Sequence, residues 1–341
     1  MNKAQWTLVG ADSLASKELR DVIDERKLPV QLHLLSGDPD STVLTADDEG
    51  EAAIMEPVTR EALAGAEVVF LGGSPEQSRR TMEMAESAGL QPLFVDLSGE
   101  LEHLPVARLR APMVESELFA GEPGTVQVIA HPAAAVLARF LMLVHRRAPI
   151  RRTVATVCQP ISAHGQRGID EMHKQTVSLL SFQSMPKELF DAQVAFNLLP
   201  RFGTESHIKL AASAETIERH LVTLLAPTGV PLPSIRVIHA AVFHAYVFSI
   251  WVQFVQRPPV ADLAAIFSSE GIDLRTSEVE PASNLGVAGQ SGFTVDVIED
   301  DHHSPDAAWF FLAADNLRTT AENAVMVAGL ARPVAPRQVP K

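Results

Sequence analysis

The first 130 or so residues alternate short apolar runs with amphipathic stretches, and this alternation constrains the fold more than any other feature. Trp6-Thr7-Leu8-Val9 ends at Gly10 and is followed by a helical pattern over Lys17 to Ile23. Val30 to Leu35 ends in Ser36-Gly37-Asp38-Pro39-Asp40-Ser41, and Val68-Val69-Phe70-Leu71 ends in Gly72-Gly73-Ser74 before a helix opened by Pro75. Leu93 to Val95 and Val126 to Ala130 repeat the theme, the last running through His131-Pro132 into an apolar helix reaching Val144. Near-continuous apolar runs of this length are strands buried on both faces, and helices between them make the sheet parallel. The pattern predicts an α/β, Rossmann-type doubly wound sheet.

From about Arg151 the pattern changes to strands separated by irregular segments, which predicts an α+β domain. Strands are expected at Arg152–Val157, within Ser234–Val255 as two strands or one, at Gly292–Ile298 and at Trp309–Ala313. Helices are expected from Gly168, over Thr216–Leu225 and Ala261–Ser268, and from Asp315 through Ala328. The division predicted is a dinucleotide-binding domain over 1–132, completed by the helix 315–330, with an α+β domain over 133–314. The acidic stretch Ala46 to Ala52 reads as a surface loop, and the Pro-rich tail 331–341 as frayed.

A formal charge of -14 on 341 residues excludes nucleic acid and anionic membrane as natural partners, because both would repel the chain. The single cysteine forms no internal disulfide, and the chain opens on a strand without a signal-peptide core; both fit a cytoplasmic protein. Asp300-Asp301-His302-His303 with Asp306 is the only metal-like cluster, and its spacing reads as a solvated loop, so no metal is expected.

A working dinucleotide loop uses glycines so that its backbone can approach the pyrophosphate. Here Gly10 and Ala11 are followed by Asp12, Ser13 and Ser16, and Asp12 brings a negative charge to the loop. Acids after Ser36 tolerate a ribose hydroxyl and disfavour a 2'-phosphate, which favours NAD over NADP. Cys158-Gln159 ends a strand where α/β enzymes build sites, so Cys158 is either a nucleophile or a small buried residue of a core strand.

Three segments carry a resemblance. Cys158 to Met172 is similar to Y-Q-x-V-S-G-A-G-x-x-G-x-x-E-L, Ala195-Phe196-Asn197-Leu198-Leu199-Pro200 to A-F-N-x-x-P, and Asp315 to Val325 to D-N-L-R-K-G-A-A-x-N-A-V. In this order they resemble the aspartate-semialdehyde dehydrogenase family, and most of all its Usg-like branch, which lacks the catalytic cysteine. The resemblance implies a homodimer formed through the second domain and an NAD or NADP site with contacts at Gly10, Ala11, Ser36, Gly72, Gly73 and Asn316. It also implies a reaction in which a cysteine attacks an aldehyde, a hydride passes to the nicotinamide, and phosphate releases the acyl group.

Carried onto this chain, the nucleophile of N-P-N-C-S-T falls on Ala134 in His131-Pro132-Ala133-Ala134-Ala135. Gln159 matches the acyl-orienting glutamine. His244, in Phe243-His244-Ala245-Tyr246, matches the acid/base, with a satisfied core histidine as its other reading. The substrate arginine position is Val237, with Arg236 one step out of register, and the phosphate arginine position is Glu102. Thr319-Thr320 stands for the family's K-G pair. The expected role is a homologue without the dehydrogenase reaction that binds a small molecule or a protein partner. The competing expectation is an atypical NAD(P)-dependent oxidoreductase of amino-acid biosynthesis acting through His244, Gln159 and Cys158.

Overall fold

The computed structural model describes residues 3–36, 43–46, 52–115, 117 and 120–330. It divides into two compact units, residues 1–130 with 320–341, and residues 131–319.

The first unit contains β1 (Ala4–Val9), α1 (Leu14–Glu25), β2 (Val30–Ser36), β3 (Val43–Ala46), β4 (Ala52–Pro57), α2 (Arg60–Leu63), β5 (Val68–Leu71), α3 (Pro75–Ser87), β6 (Leu93–Asp96), β7 (Ala107–Arg110) and β8 (Val126–Ile129). Its sheet runs β3-β4-β2-β1-β5-β6-β8-β7, parallel throughout except for antiparallel β3 at one edge. The order reverses at β1, which lies between β2 and β5, so the doubly wound expectation holds. Strands β5, β6 and β8 are buried at every position, which accounts for a sequence that is apolar except at Asp96 and Gln127.

Strands β3, β4 and β7 were not anticipated from the sequence. The acidic stretch lies between paired strands, with Ala46 opposite Ala52, and residues 47–51, where the surface loop is expected, lie outside the described residues. The predicted ribose-binding turn after Ser36 and the tail 331–341 also lie outside them.

The second unit contains α4 (Pro132–Arg147), β9 (Ile150–Gln159), a 3-10 turn (Ile161–His164), α5 (Gly165–Leu180), α6 (Leu210–Leu225), β10 (Ser234–His239), β11 (Tyr246–Phe254), α7 (Val260–Ser269), β12 (Asp273–Leu274), β13 (Thr294–Val295), β14 (Glu299–Asp300) and β15 (Ala307–Ala314). The sheet order is β10-β9-β11-β15-β13-β12, with β14 also on β15. Antiparallel pairs join β9 to β11 and β11 to β15. Phe140 of α4 stacks on Phe267 of α7 and meets Phe310 of β15 edge-on, fixing these helices to one face of the sheet. The last helix, α8 (Asn316–Gly329), begins in this unit and continues in the first, where Ala321, Ala324, Val325, Val327 and Ala328 join the core against Trp6, Leu8 and Phe70.

Several boundaries differ from those expected. Helix α5 begins at Gly165, because the 3-10 turn runs straight into it, so Glu171 is beyond the first turn. Glu171 is buried and accepts the amides of Leu189 and Phe190. Helix α6 starts six residues before the expected Thr216. Gly292–Ile298 is not one strand: Asp296 turns back to accept the amides of Ala282 and Val297, leaving only Thr294–Val295 in β13.

Candidate functional site

In the first unit, Gly10 closes β1 with φ 73°, a conformation that glycine adopts without steric cost. A Cβ there would stand 2.4 Å from Gly73 Cα, so the β1 and β5 loops touch through their backbones. Beyond it the hydroxyls take over: Ser13 caps α1 by accepting the Ser16 amide at 3.1 Å, and its Oγ donates to Ser16 Oγ at 2.9 Å. Ser16 is fully buried, and its hydroxyl occupies the space a Gly72 side chain would need. Ala11 is buried, Asp12 is exposed at the loop, and Ser36 is buried at the end of β2.

After β6, the Asp96 carboxylate accepts the Ser98 amide, the Ser98 hydroxyl and the Leu101 amide, shaping the turn that carries half-buried Glu102. An acid occupies that position, so an anion meets repulsion there.

In the second unit, Ala134 is fully buried in the first turn of α4. Pro132 opens this helix, and His131 caps it by accepting the Ala133 amide on Nδ1 at 3.3 Å. The His131 amide donates to His220 Nδ1 at 2.8 Å, and His131 Nε2 lies 3.4 Å from the Tyr246 hydroxyl. Burial, with His220 adding to it, lowers the His131 pKa to about 3, so the ring is neutral. A thiol at position 134 would be favoured as thiolate by the helix N-terminus, whereas a methyl group offers no lone pair.

At the end of β9, buried Gln159 brings Nε2 within 3.0 Å of His164 Nε2 and 3.3 Å of Ser213 Oγ. His239 pairs with Gln159 in the register of β10 on β9, so the two side chains share a face. His239 Nε2 lies 3.1 Å from the Val194 carbonyl, while its Nδ1 and Gln159 Oε1 are buried with no partner among the described residues. His164 sits edge-on against Phe190 and Phe202, and burial followed by the field of His239 lowers its pKa to about 4. The cluster is neutral and apolar-walled.

His244 is half-buried on the turn between β10 and β11. Its neighbour Ala245 is fully buried at φ 71°, a left-handed conformation that costs an alanine roughly 1–2 kcal/mol. The Ala245 amide donates to Asn316 Oδ1 at 3.1 Å, and the same oxygen accepts the Ser162 hydroxyl at 3.2 Å. Asn316, assigned by resemblance to the cofactor, thus commits its carbonyl oxygen to two protein donors. On β10 Arg236 is exposed and Val237 is buried, facing opposite ways. Cys158 and Gln159 likewise alternate on β9, and burial raises the Cys158 pKa.

His131, His220, Ser213 and His239 are parts of these clusters that sequence reasoning did not single out. Only His131 had a local signal, its place immediately before a helix-opening proline. The Asp300–Asp306 loop is held together by Asp301, which accepts the Trp251 indole at 2.7 Å and the amides of His303 and Ser304. Among the described residues no group of three or more His, Cys, Asp or Glu side chains is arranged to hold a metal ion.

Residues 142–319 match the semialdehyde dehydrogenase dimerisation domain. The chain belongs to the semialdehyde dehydrogenase family. Two relatives of this family are a USG-1 protein homolog of Azotobacter vinelandii, 29% identical over 95% of this chain and 96% of that protein, and aspartate-semialdehyde dehydrogenase 2 of Vibrio cholerae, 24% identical with the same coverage. The structure of a probable aspartate-semialdehyde dehydrogenase from Pseudomonas aeruginosa superposes with a TM-score of 0.82 at 25% identity, covering 96% of this chain and 98% of that one. An aspartate-semialdehyde dehydrogenase with NADP from Candida albicans has the same fold, with a TM-score of 0.65 at 16% identity over 96% of this chain and 98% of that one. The similarity to these relatives extends over both units, and among the described residues no helix is long and apolar enough to cross a membrane.

Proposed function

We propose that this member of the semialdehyde dehydrogenase family does not carry out the dehydrogenase reaction and acts as a homodimeric binding protein for a small molecule or a protein partner. The observation that carries this reading is Ala134, a buried methyl group in the first turn of α4 where the family's nucleophile belongs. Without a thiolate no hemithioacetal forms, and without it there is no hydride to transfer.

The other positions support the same reading. Glu102 repels the phosphate that would release an acyl group, and Val237 offers no cation to a substrate carboxylate. Cys158 is a poor substitute nucleophile, since burial holds it as the thiol and strand alternation turns it away from Gln159. His244 and Gln159 remain, and without a nucleophile they serve recognition.

The cofactor loop does not fit a diphosphate. Ser13 spends its hydroxyl on the Ser16 amide, the Ser13 amide donates to the Gly10 carbonyl, and Asp12 adds a negative charge at the loop. Neither NAD nor NADP is therefore assigned a role. The test is turnover of aspartate semialdehyde with NAD or NADP and phosphate. No product above the uncatalysed rate is expected, and a rate abolished by Cys158→Ala would overturn the proposal in favour of an atypical oxidoreductase.

A further inference from the structure

We infer that the buried site where β9 and β10 end takes an uncharged ligand with a two-hydrogen nitrogen donor, of the primary carboxamide class, held by Gln159 Oε1 and His239 Nδ1. This rests on the small-molecule binding reading above and names the chemistry of the ligand.

The hydrogens of the site follow from its contacts. The Val194 carbonyl can only accept, so His239 Nε2, 3.1 Å from it, carries the proton and Nδ1 is left as a lone pair. Burial lowers the His239 pKa and keeps the ring neutral. Gln159 Nε2 spends its two hydrogens on His164 Nε2 at 3.0 Å and Ser213 Oγ at 3.3 Å, so Oε1 is the uncommitted end of that amide. Gln159 is 1% exposed and His239 fully buried, and neither Oε1 nor Nδ1 has a partner among the described residues. Both unpartnered atoms are acceptors, and buried acceptors call for a donor.

The spacing selects the donor. Gln159 and His239 are paired in the register of β10 on β9, so their side chains leave one face of the sheet about 4.8 Å apart. A nitrogen that makes two hydrogen bonds of about 2.9 Å at roughly 120° spans acceptors about 5 Å apart. Phe190 and Phe202 stand edge-on to His164, and Phe202 lies 5.6 Å from the His239 ring, so the walls are flat and apolar.

Other ligands fit this arrangement worse. A carboxylate brings only acceptors, and buried Val237, two residues before His239 on the same face, supplies no cation. An ammonium has the donors, but none of Gln159, His164, Ser213 and His239 is hydrogen-bonded to a carboxylate, so its charge would be buried without a counter-ion. A water would donate twice and turn its own lone pairs to the phenylalanine rings, short of the usual complement of a buried water.

The test is titration of the full chain with propionamide, propionate and propylammonium, followed through the imidazole nitrogen resonances, with His239 assigned by its loss in His239→Phe. Propionamide should bind saturably and move the His239 Nδ1 resonance, the two ions binding about tenfold or more weakly. His239→Phe should weaken propionamide by about tenfold, and the near-isosteric Gln159→Glu should reverse the order in favour of propylammonium. Either ion binding wild type as tightly as propionamide would overturn the ligand class, and unchanged affinity in folded His239→Phe would place the ligand elsewhere. No saturable shift with any probe would mean a site filled by water alone and would overturn the inference. Turnover of aspartate semialdehyde, measured on the same preparation, separates the two levels: turnover sinks the binding-protein reading, whereas absent turnover with no probe bound sinks this inference alone. Should a variant misfold, the wild-type ranking of the three probes decides the question.

Discussion

Gly72 has no side chain where Ser16 keeps its hydroxyl: a Cβ on Gly72 would lie 2.0 Å from Ser16 Oγ. The serine takes space at the start of α1, and the neighbouring strand end leaves room for it. Gly72→Ala should therefore destabilise the protein by about 1–3 kcal/mol through overpacking. Adding Ser16→Gly should recover part of that loss, since it removes the clashing atom. Urea midpoints for the two single variants and the double variant measure the coupling.

The turn carrying His244 gives two predictions of opposite sign. Ala245→Gly relieves a left-handed alanine and should stabilise the fold by roughly 0.5–1 kcal/mol, the glycine's extra unfolded-state freedom offsetting part of the gain. Asn316→Ala removes the acceptor shared by the Ala245 amide and the Ser162 hydroxyl and should cost about 1–3 kcal/mol. Two shifts of one sign would show that the turn is not held as described. Thermal melts are sufficient to read them.

Stability should fall on mild acidification. Folded His131 and His164 titrate at about 3 and about 4, held down by burial from the ordinary histidine value of 6.5, so between pH 6.5 and 4 the unfolded chain binds more protons than the folded one. Each histidine then removes up to about 1.4 kcal/mol per pH unit as the pH drops. His164→Asn should flatten this slope while lowering stability at neutral pH, and denaturant titrations from pH 7 to 4 follow it. A pH-independent midpoint would mean the imidazoles are accessible to protons.

Neither nucleotide should raise the melting temperature at millimolar concentration. A ligand present at about 100 times its dissociation constant adds about 2.7 kcal/mol, a shift no melt would miss. Saturable stabilisation by NAD alone would restore a cofactor role and give the acids after Ser36 a use.

Much of the parallel sheet was legible because buried strands cannot hide polar residues: Val68–Leu71 and Val126–Ile129 are apolar at nearly every position and end in small-residue turns. The β3–β4 hairpin was not, since its strands flank an acidic run that reads as solvent-facing. Thr294–Val295 and Glu299–Asp300 pair separately with β15 because Asp296 turns its side chain back on the chain, a tertiary choice with no local signature. In the candidate site, Ala134 was found by motif and register alone. The histidine contacts were not, since His131 meets His220 across 89 positions and His239 meets Gln159 only through strand pairing.

The central claim, that hydride transfer is absent because position 134 carries a methyl group, is tested most directly by a single turnover without phosphate. Protein stoichiometric with NADP or NAD is mixed with excess aspartate semialdehyde, and nicotinamide reduction is followed. Omitting phosphate isolates the acylation half-reaction from any defect in release. The account predicts no reduction above the enzyme-free mixture. A burst approaching the enzyme concentration, lost in Cys158→Ala, would contradict it.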